Sequence, residues 1–264
     1  MALAMIEEAE RRGDLRPGMT VLEYTAGSTG SALAYVCAAK GYRFQVVTSD
    51  AFAPEKLATM TALGAELTIV PSVGGKITPD LTPRMIETAR ELAADPDVYW
   101  TDQLNNPDSL VGYRQVGVEL LEQLEQPIDV FCCAVGTSGM ATGVKNALEE
   151  GGSQARVVIF EPDSSPVIST GQAGVNSVEG IGIGMFPPLL ELDRFDGVRA
   201  ISEDGAFAMA RRLAAEEGLL AGGSTGLNVT GAIELARELG PGRTVVTLAC
   251  DTGLKYLAGD LYRR

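Results

Sequence analysis

The sequence predicts an α/β protein made of two three-layer domains with mostly parallel sheets. Three observations carry this. Short apolar strands alternate with helical patterns through both halves of the chain. Loops of glycine, serine and threonine stand three times between an apolar run and a helix, and a polar, proline-bearing break lies between the halves.

In the first half, Ala2 to Arg12 has apolar residues at helical spacing and stops at Gly13. Strands are predicted near 19–24, 43–48, 66–70 and 98–100, with helices near 29–41, 54–64 and 83–95, the order expected of a parallel sheet covered on both faces. Gln103-Leu104-Asn105-Asn106-Pro107-Asp108 is the break, and it sets the expected domains at 1–107 and 108–264. The second half repeats the pattern. Helices are predicted near 108–124, 139–150, 203–217 and 227–239, and strands over 128–135, 156–161, 198–201 and 244–249. Gly180-Ile181-Gly182-Ile183-Gly184 has too many glycines for a helix or a strand interior, so it reads as a loop of close backbone approach.

Composition narrows the function classes. The chain has 264 residues, 45% of them hydrophobic, enough for a sizeable core. A formal net charge of −14 opposes binding to nucleic acid or to an anionic membrane surface. No apolar run approaches the roughly 20 residues that span a bilayer, and no secretory leader is apparent, so a cytoplasmic protein is expected. There is no histidine, which removes Ser-His-Asp and Cys-His chemistry and most zinc sites; no metal is expected. Cys37, Cys132, Cys133 and Cys250 lie in apolar stretches and read as reduced core residues, with Cys132 and Cys133 on opposite faces of a strand.

The small-residue loops are candidate anion cradles, because backbone N–H groups at a helix start converge on negative charge without bulky side chains in the way. The first is Thr25-Ala26-Gly27-Ser28-Thr29-Gly30 and the second is Gly136-Thr137-Ser138-Gly139-Met140. Together they suggest a ligand with two anionic groups. Gly222-Gly223-Ser224-Thr225-Gly226 is a third loop of the same kind. None has the G-x-G-x-x-G spacing of a dinucleotide site, and Gly143-Val144-Lys145-Asn146 breaks the P-loop rule.

These residues resemble the fold-type-II pyridoxal-phosphate enzymes, and within them the cysteine synthase (O-acetylserine sulfhydrylase) and cystathionine β-synthase group, from about residue 2 to the C-terminus. The resemblance implies the tryptophan synthase β-like fold and pyridoxal 5'-phosphate as cofactor. Thr25 to Gly30 is similar to the family's T-S-G-N-T-G loop, which implies that Thr25, Ala26, Gly27 and Thr29 bind the substrate carboxylate and that Ser28 faces the cofactor's ring oxygen. Ala26 and Ser28 depart from the family's serine and asparagine. Gly136, Thr137, Ser138, Gly139 and Met140 are similar to the G-T-G-G-T phosphate cradle, with Met140 a departure. Ser224 matches the serine facing the pyridine nitrogen, Gln103 the glutamine that reaches the substrate carboxylate, and Gly180 belongs to the loop lining the substrate mouth. Asp251 to Tyr256 differs too much from the family's P-S-S-G-E-R-Y to carry a role.

In the family the cofactor is held as a Schiff base by a lysine in an S-x-K-D-R segment leading into the helix that matches Ala2 to Arg12. This chain contains no such segment. Lys40, Lys56, Lys76, Lys145 and Lys255 match none of its contexts and are expected as solvated surface charges. A truncated enzyme is the expectation, since no cap precedes the first helix, with a noncatalytic ligand-binding or interaction protein as the alternative. The resemblance implies β-replacement on an O-activated L-serine with sulfide or another nucleophile, inactive or impaired in this chain, and a homodimer. A dehydratase of the same fold is the other alternative; Thr29 stands where its S-x-G-N-H loop would carry histidine.

Overall fold

The computed structural model describes residues 1–263 and separates into two compact units, Met1–Gly112 and the chain from Tyr113 onward.

The first unit holds α1 (Ala2–Arg12), β1 (Thr20–Tyr24), α2 (Ser28–Lys40), β2 (Arg43–Ser49), α3 (Pro54–Ala62), β3 (Glu66–Val70), α4 (Leu81–Leu92) and β4 (Val98–Trp100), and the start of α5 (Asp108–Gln123). Its four strands run parallel in the order β3-β2-β1-β4. One sheet face packs Val21, Phe44 and Val46 against Met5 and Ile6 of α1, Leu33 and Cys37 of α2 and Met60 of α3. On α4, Leu81, Met85 and Ala89 recur at helical spacing and are buried, and this helix packs on β1, β2 and β3. The third layer follows from that stripe.

The second unit contains β5 (Val130–Ala134), α6 (Gly139–Glu150), β6 (Arg156–Pro162), α7 (Val167–Thr170), β7 (Gly197–Ile201), α8 (Glu203–Glu216), α9 (Gly223–Leu239) and β8 (Val245–Val246). Its sheet is also parallel, in the order β7-β6-β5-β8. Cys132 joins the core formed with Phe160, Ala206 and Leu227, while Cys133 joins the one formed with Phe131, Ile159, Val144 and Leu148. The two vicinal cysteines therefore face opposite sides, as strand geometry requires.

Two elements differ from expectation. Helix α9 starts at Gly223, not near 227, because the small residues serve packing: a side chain at Gly226 would run into the backbone of Ala206 in α8. Strand β8 covers only Val245–Val246, not 244–249. Beyond it, side chains take the place of ladder bonds, with Thr247 Oγ1 donating to the Cys132 carbonyl and Asn228 Nδ2 to the Leu248 carbonyl. Cys250, in this irregular stretch, is exposed and is not a core residue.

Candidate active site

The first unit presents the loop between β1 and α2. Gly27 precedes α2 with φ 125° and ψ −34°, which a residue with a Cβ rarely adopts. Thr25 is buried, and its Oγ1 accepts from the amides of Gly27 at 3.0 Å and Gly30 at 3.4 Å, which curls the loop into the helix. Ala26 lies between Thr25 and Gly27, and Ser28 opens α2 with an exposed position. Thr29 Oγ1 donates to Gln103 Oε1 at 2.7 Å, and Gln103 Nε2 donates to the Tyr24 carbonyl at 2.9 Å. Thr25, Gly27, Thr29 and Gln103, separated by up to 78 positions in the chain, thus gather at one end of the sheet through hydrogen bonds.

Two residues of this region were given no part in it by the sequence reading. Glu23 is fully buried in β1 and accepts from Tyr24 N, Thr101 Oγ1 and Gln103 N. Burial pushes its carboxyl up to about 8, the three hydrogen bonds pull it back, and the charge of Asp102 adds to the rise. The signal was a carboxylate inside the apolar run Val21-Leu22-Glu23-Tyr24. Lys56, expected on the surface, is 1% exposed, and its stem occupies the space that a side chain on Gly27 would need. An aliphatic stem of four carbons makes such burial possible.

The other lysines are placed diversely. Lys40 pairs with Glu10 at 2.7 Å, Lys255 lies 3.8 Å from Asp251, and Lys76 is exposed. Lys145 is buried rather than solvated, paired with Glu149 at 3.0 Å and set over the Phe195 ring.

The second unit presents the loop between β5 and α6. Ser138 caps α6 in the left-handed conformation, φ 69°, and its side chain does not bond the helix amides. The first turn of such a helix leaves backbone N–H groups without intrahelical acceptors. Among the described residues, the hydroxyls of Ser138 and Thr142 are buried without a hydrogen-bond partner. Gly136 lies so close to the Gly180 carbonyl that a side chain there would collide with it, so the glycine loop packs on the cradle. Asn176 fixes that loop by donating to the Gly182 carbonyl at 2.8 Å and accepting from Val178 N at 3.0 Å. An unpartnered hydroxyl pair, bare helix amides and a side-chain-free Gly136 fit a phosphate group, with Thr137, Gly139 and Met140 completing the turn.

Ser224 is buried in the first turn of α9. The turn is locked by Thr225 Oγ1, which accepts from Cys250 N at 2.9 Å, and by Asn228, whose Oδ1 accepts from Ala134 N at 2.7 Å.

A small-residue loop between a central parallel strand and a helix, a serine at a second helix start and a Thr/Gly loop bonded to a glutamine are features of the fold-type-II class of pyridoxal-phosphate enzymes. The sequence pattern described as "Pyridoxal-phosphate dependent enzyme" matches residues 1–251, and the chain belongs to this family, in its cysteine synthase branch. It is 39% identical to a cysteine synthase of Staphylococcus aureus (strain Mu50 / ATCC 700699) over 264 residues, covering 99% of this chain and 83% of the relative. The crystal structure of an O-acetylserine dependent cystathionine beta-synthase from Helicobacter pylori superposes with a TM-score of 0.92 at 31% identity, over 99% of this chain and 84% of that one. That of an O-ureido-L-serine synthase gives a TM-score of 0.89 at 32% identity, over 99% of this chain and 81% of that one. No described helix is long and apolar enough to cross a membrane.

Proposed function

We propose that the site carries out β-replacement on an O-activated L-serine, forming L-cysteine or a related β-substituted alanine with sulfide or another nucleophile. The observation that carries this is the bond from Thr29 to Gln103: the loop holds a threonine where the dehydratases place a histidine, and that threonine holds the Gln103 carboxamide, which this reading directs at a carboxylate. The names of the relatives, cysteine synthase and O-acetylserine dependent cystathionine beta-synthase, support the same chemistry.

In this reading Thr25, Ala26, Gly27, Thr29 and Gln103 hold the substrate carboxylate, and Gly180 lines the substrate mouth. Gly136 to Met140 hold the cofactor phosphate through backbone N–H groups and the Ser138 hydroxyl. Ser28 meets the ring oxygen and Ser224 the ring nitrogen. When bound, pyridoxal phosphate supplies an electron sink for negative charge at the substrate α-carbon. Ser224, a hydroxyl and not a carboxylate, does not hold the ring nitrogen protonated, which favours loss of the β-substituent over transamination.

Removal of the α-proton needs a base. None of the five lysines lies in an S-x-K-D-R segment, and the fully buried one, Lys56, packs against Gly27. For this chain alone the proposal is therefore cofactor and amino-acid binding without efficient turnover. A cytoplasmic homodimer belongs to the family-based reading.

The test is a visible spectral titration of the purified chain with pyridoxal phosphate, followed by borohydride trapping, peptide mapping and a cysteine assay with O-acetylserine and sulfide. Saturable binding with no single trapped lysine and no cysteine is expected. One lysine trapped in high yield would overturn the turnover prediction. No β-substituted alanine from the chain extended by an S-x-K-D-R segment would overturn β-replacement.

A further inference from the structure

Glu23 lies in the strand that feeds the substrate loop, yet it faces no cation in the hydrogen-bonded set around it. Its Oε1 accepts from Tyr24 N at 2.8 Å, and its Oε2 accepts from Thr101 Oγ1 at 2.6 Å and Gln103 N at 2.9 Å. Between the last two residues, Asp102 has φ +42°, in the left-handed region that aspartate enters more readily than most residues with a Cβ. The two backbone amides taken by Glu23 belong to Tyr24, whose carbonyl receives Gln103 Nε2, and to Gln103 itself.

We propose that Glu23 is a positioning residue: by accepting the amides of Tyr24 and Gln103 it fixes the left-handed turn at Asp102 and thereby aims the Gln103 carboxamide at the substrate carboxylate. This rests on the reading that Gln103 meets that carboxylate. The geometry explains why a carboxyl group, and not an amide, stands here. An ionised carboxylate accepts all three donors. A neutral carboxylic acid still accepts both amides, because its proton goes to Thr101 Oγ1, which in turn donates to the Leu22 carbonyl at 3.2 Å. A glutamine has one accepting atom and one donating NH2, so one of the two buried amides would face a donor.

The experiment compares L-alanine with ethylamine, which is alanine without its carboxylate, as ligands of the protein loaded with pyridoxal phosphate. The change in the ratio of their dissociation constants from one variant to another reads carboxylate recognition, because the different basicity of the two amines cancels. Glu23→Gln, and Glu23→Asp, which is one methylene too short to span both amides, should each lower the preference for alanine about ten-fold, with ethylamine and cofactor affinities unchanged. A role limited to stability would weaken both ligands equally or neither, and an unchanged ratio overturns the proposal. Should both variants fail to fold, hydrogen exchange at the Gln103 backbone amide of the unaltered protein decides: strong protection is expected, and exchange at the rate of an open loop overturns the clamp. If the unaltered protein shows no preference for alanine over ethylamine, the carboxylate reading falls, and the proposed aiming falls with it. Glu23 would then be left as a clamp on the turn alone, which the exchange measurement still reads.

Discussion

Replacing Gly27 by alanine should incur two separable costs, one in the backbone and one in packing. The backbone there has φ 125° and ψ −34°, outside the left-handed basin that asparagine or aspartate tolerates. Holding an alanine in such a region costs about 1–3 kcal/mol. The new methyl would also stand 2.6 Å from Lys56 Cδ and 2.8 Å from its Cβ, against an ordinary contact of 3.4 Å or more. Lys56 is 1% exposed, so its stem cannot swing into solvent, and overpacking adds about 1–3 kcal/mol. The expected loss is about 3 kcal/mol. Gly41→Ala is the control, because Gly41 has φ 80° and open space around its Cβ position, leaving only a backbone cost of about 1–2 kcal/mol. The assay is urea unfolding followed by the fluorescence of Trp100, the chain's one tryptophan, which lies in β4 of the same unit. If Gly27→Ala were no less stable than Gly41→Ala, the packing of Lys56 beneath the loop at 25–30 would be wrong.

Other expectations follow from the same geometry. Gly136→Ala should weaken pyridoxal phosphate binding about ten-fold or more in a spectral titration, because the methyl must push the Gly180 carbonyl off the cradle; unchanged affinity would place the glycine loop elsewhere. Ser138→Ala should act with opposite signs: it removes a buried unpartnered hydroxyl, so the cofactor-free protein melts at the same temperature or higher, while cofactor affinity falls about five-fold. Only a phosphate partner for Ser138 predicts that pairing of calorimetric and binding results. The Glu23 carboxyl is raised from 4.5 to about 8, so between those values the folded state binds a proton that the unfolded state has released. Stability of the first unit should therefore fall as pH rises from about 4.5 to 8 and level off above, and Glu23→Gln should flatten the slope in Trp100-detected unfolding.

The periodicity of apolar residues was enough for the parallel α/β architecture, because burying both faces of a short strand leaves a continuous apolar run that few other arrangements tolerate. The loops at 25–30 and 136–140 were legible for a related reason: a run of small residues between strand and helix has little use except close approach. The same cue misread Gly223 to Gly226 as loop, since smallness there serves packing of α9 on α8. Strand β8 ended early because Thr247 and Asn228 supply side-chain bonds that no local pattern announces. What the sequence by itself determined was the class of fold, the family and the small-residue loops. Tertiary structure alone decided that Glu23 holds Gln103 across 80 positions and that Lys56 lies under Gly27. Burial and hydrogen-bond partnership between distant segments depend on how strands are ordered in the sheet, and that order leaves no periodic trace along the chain.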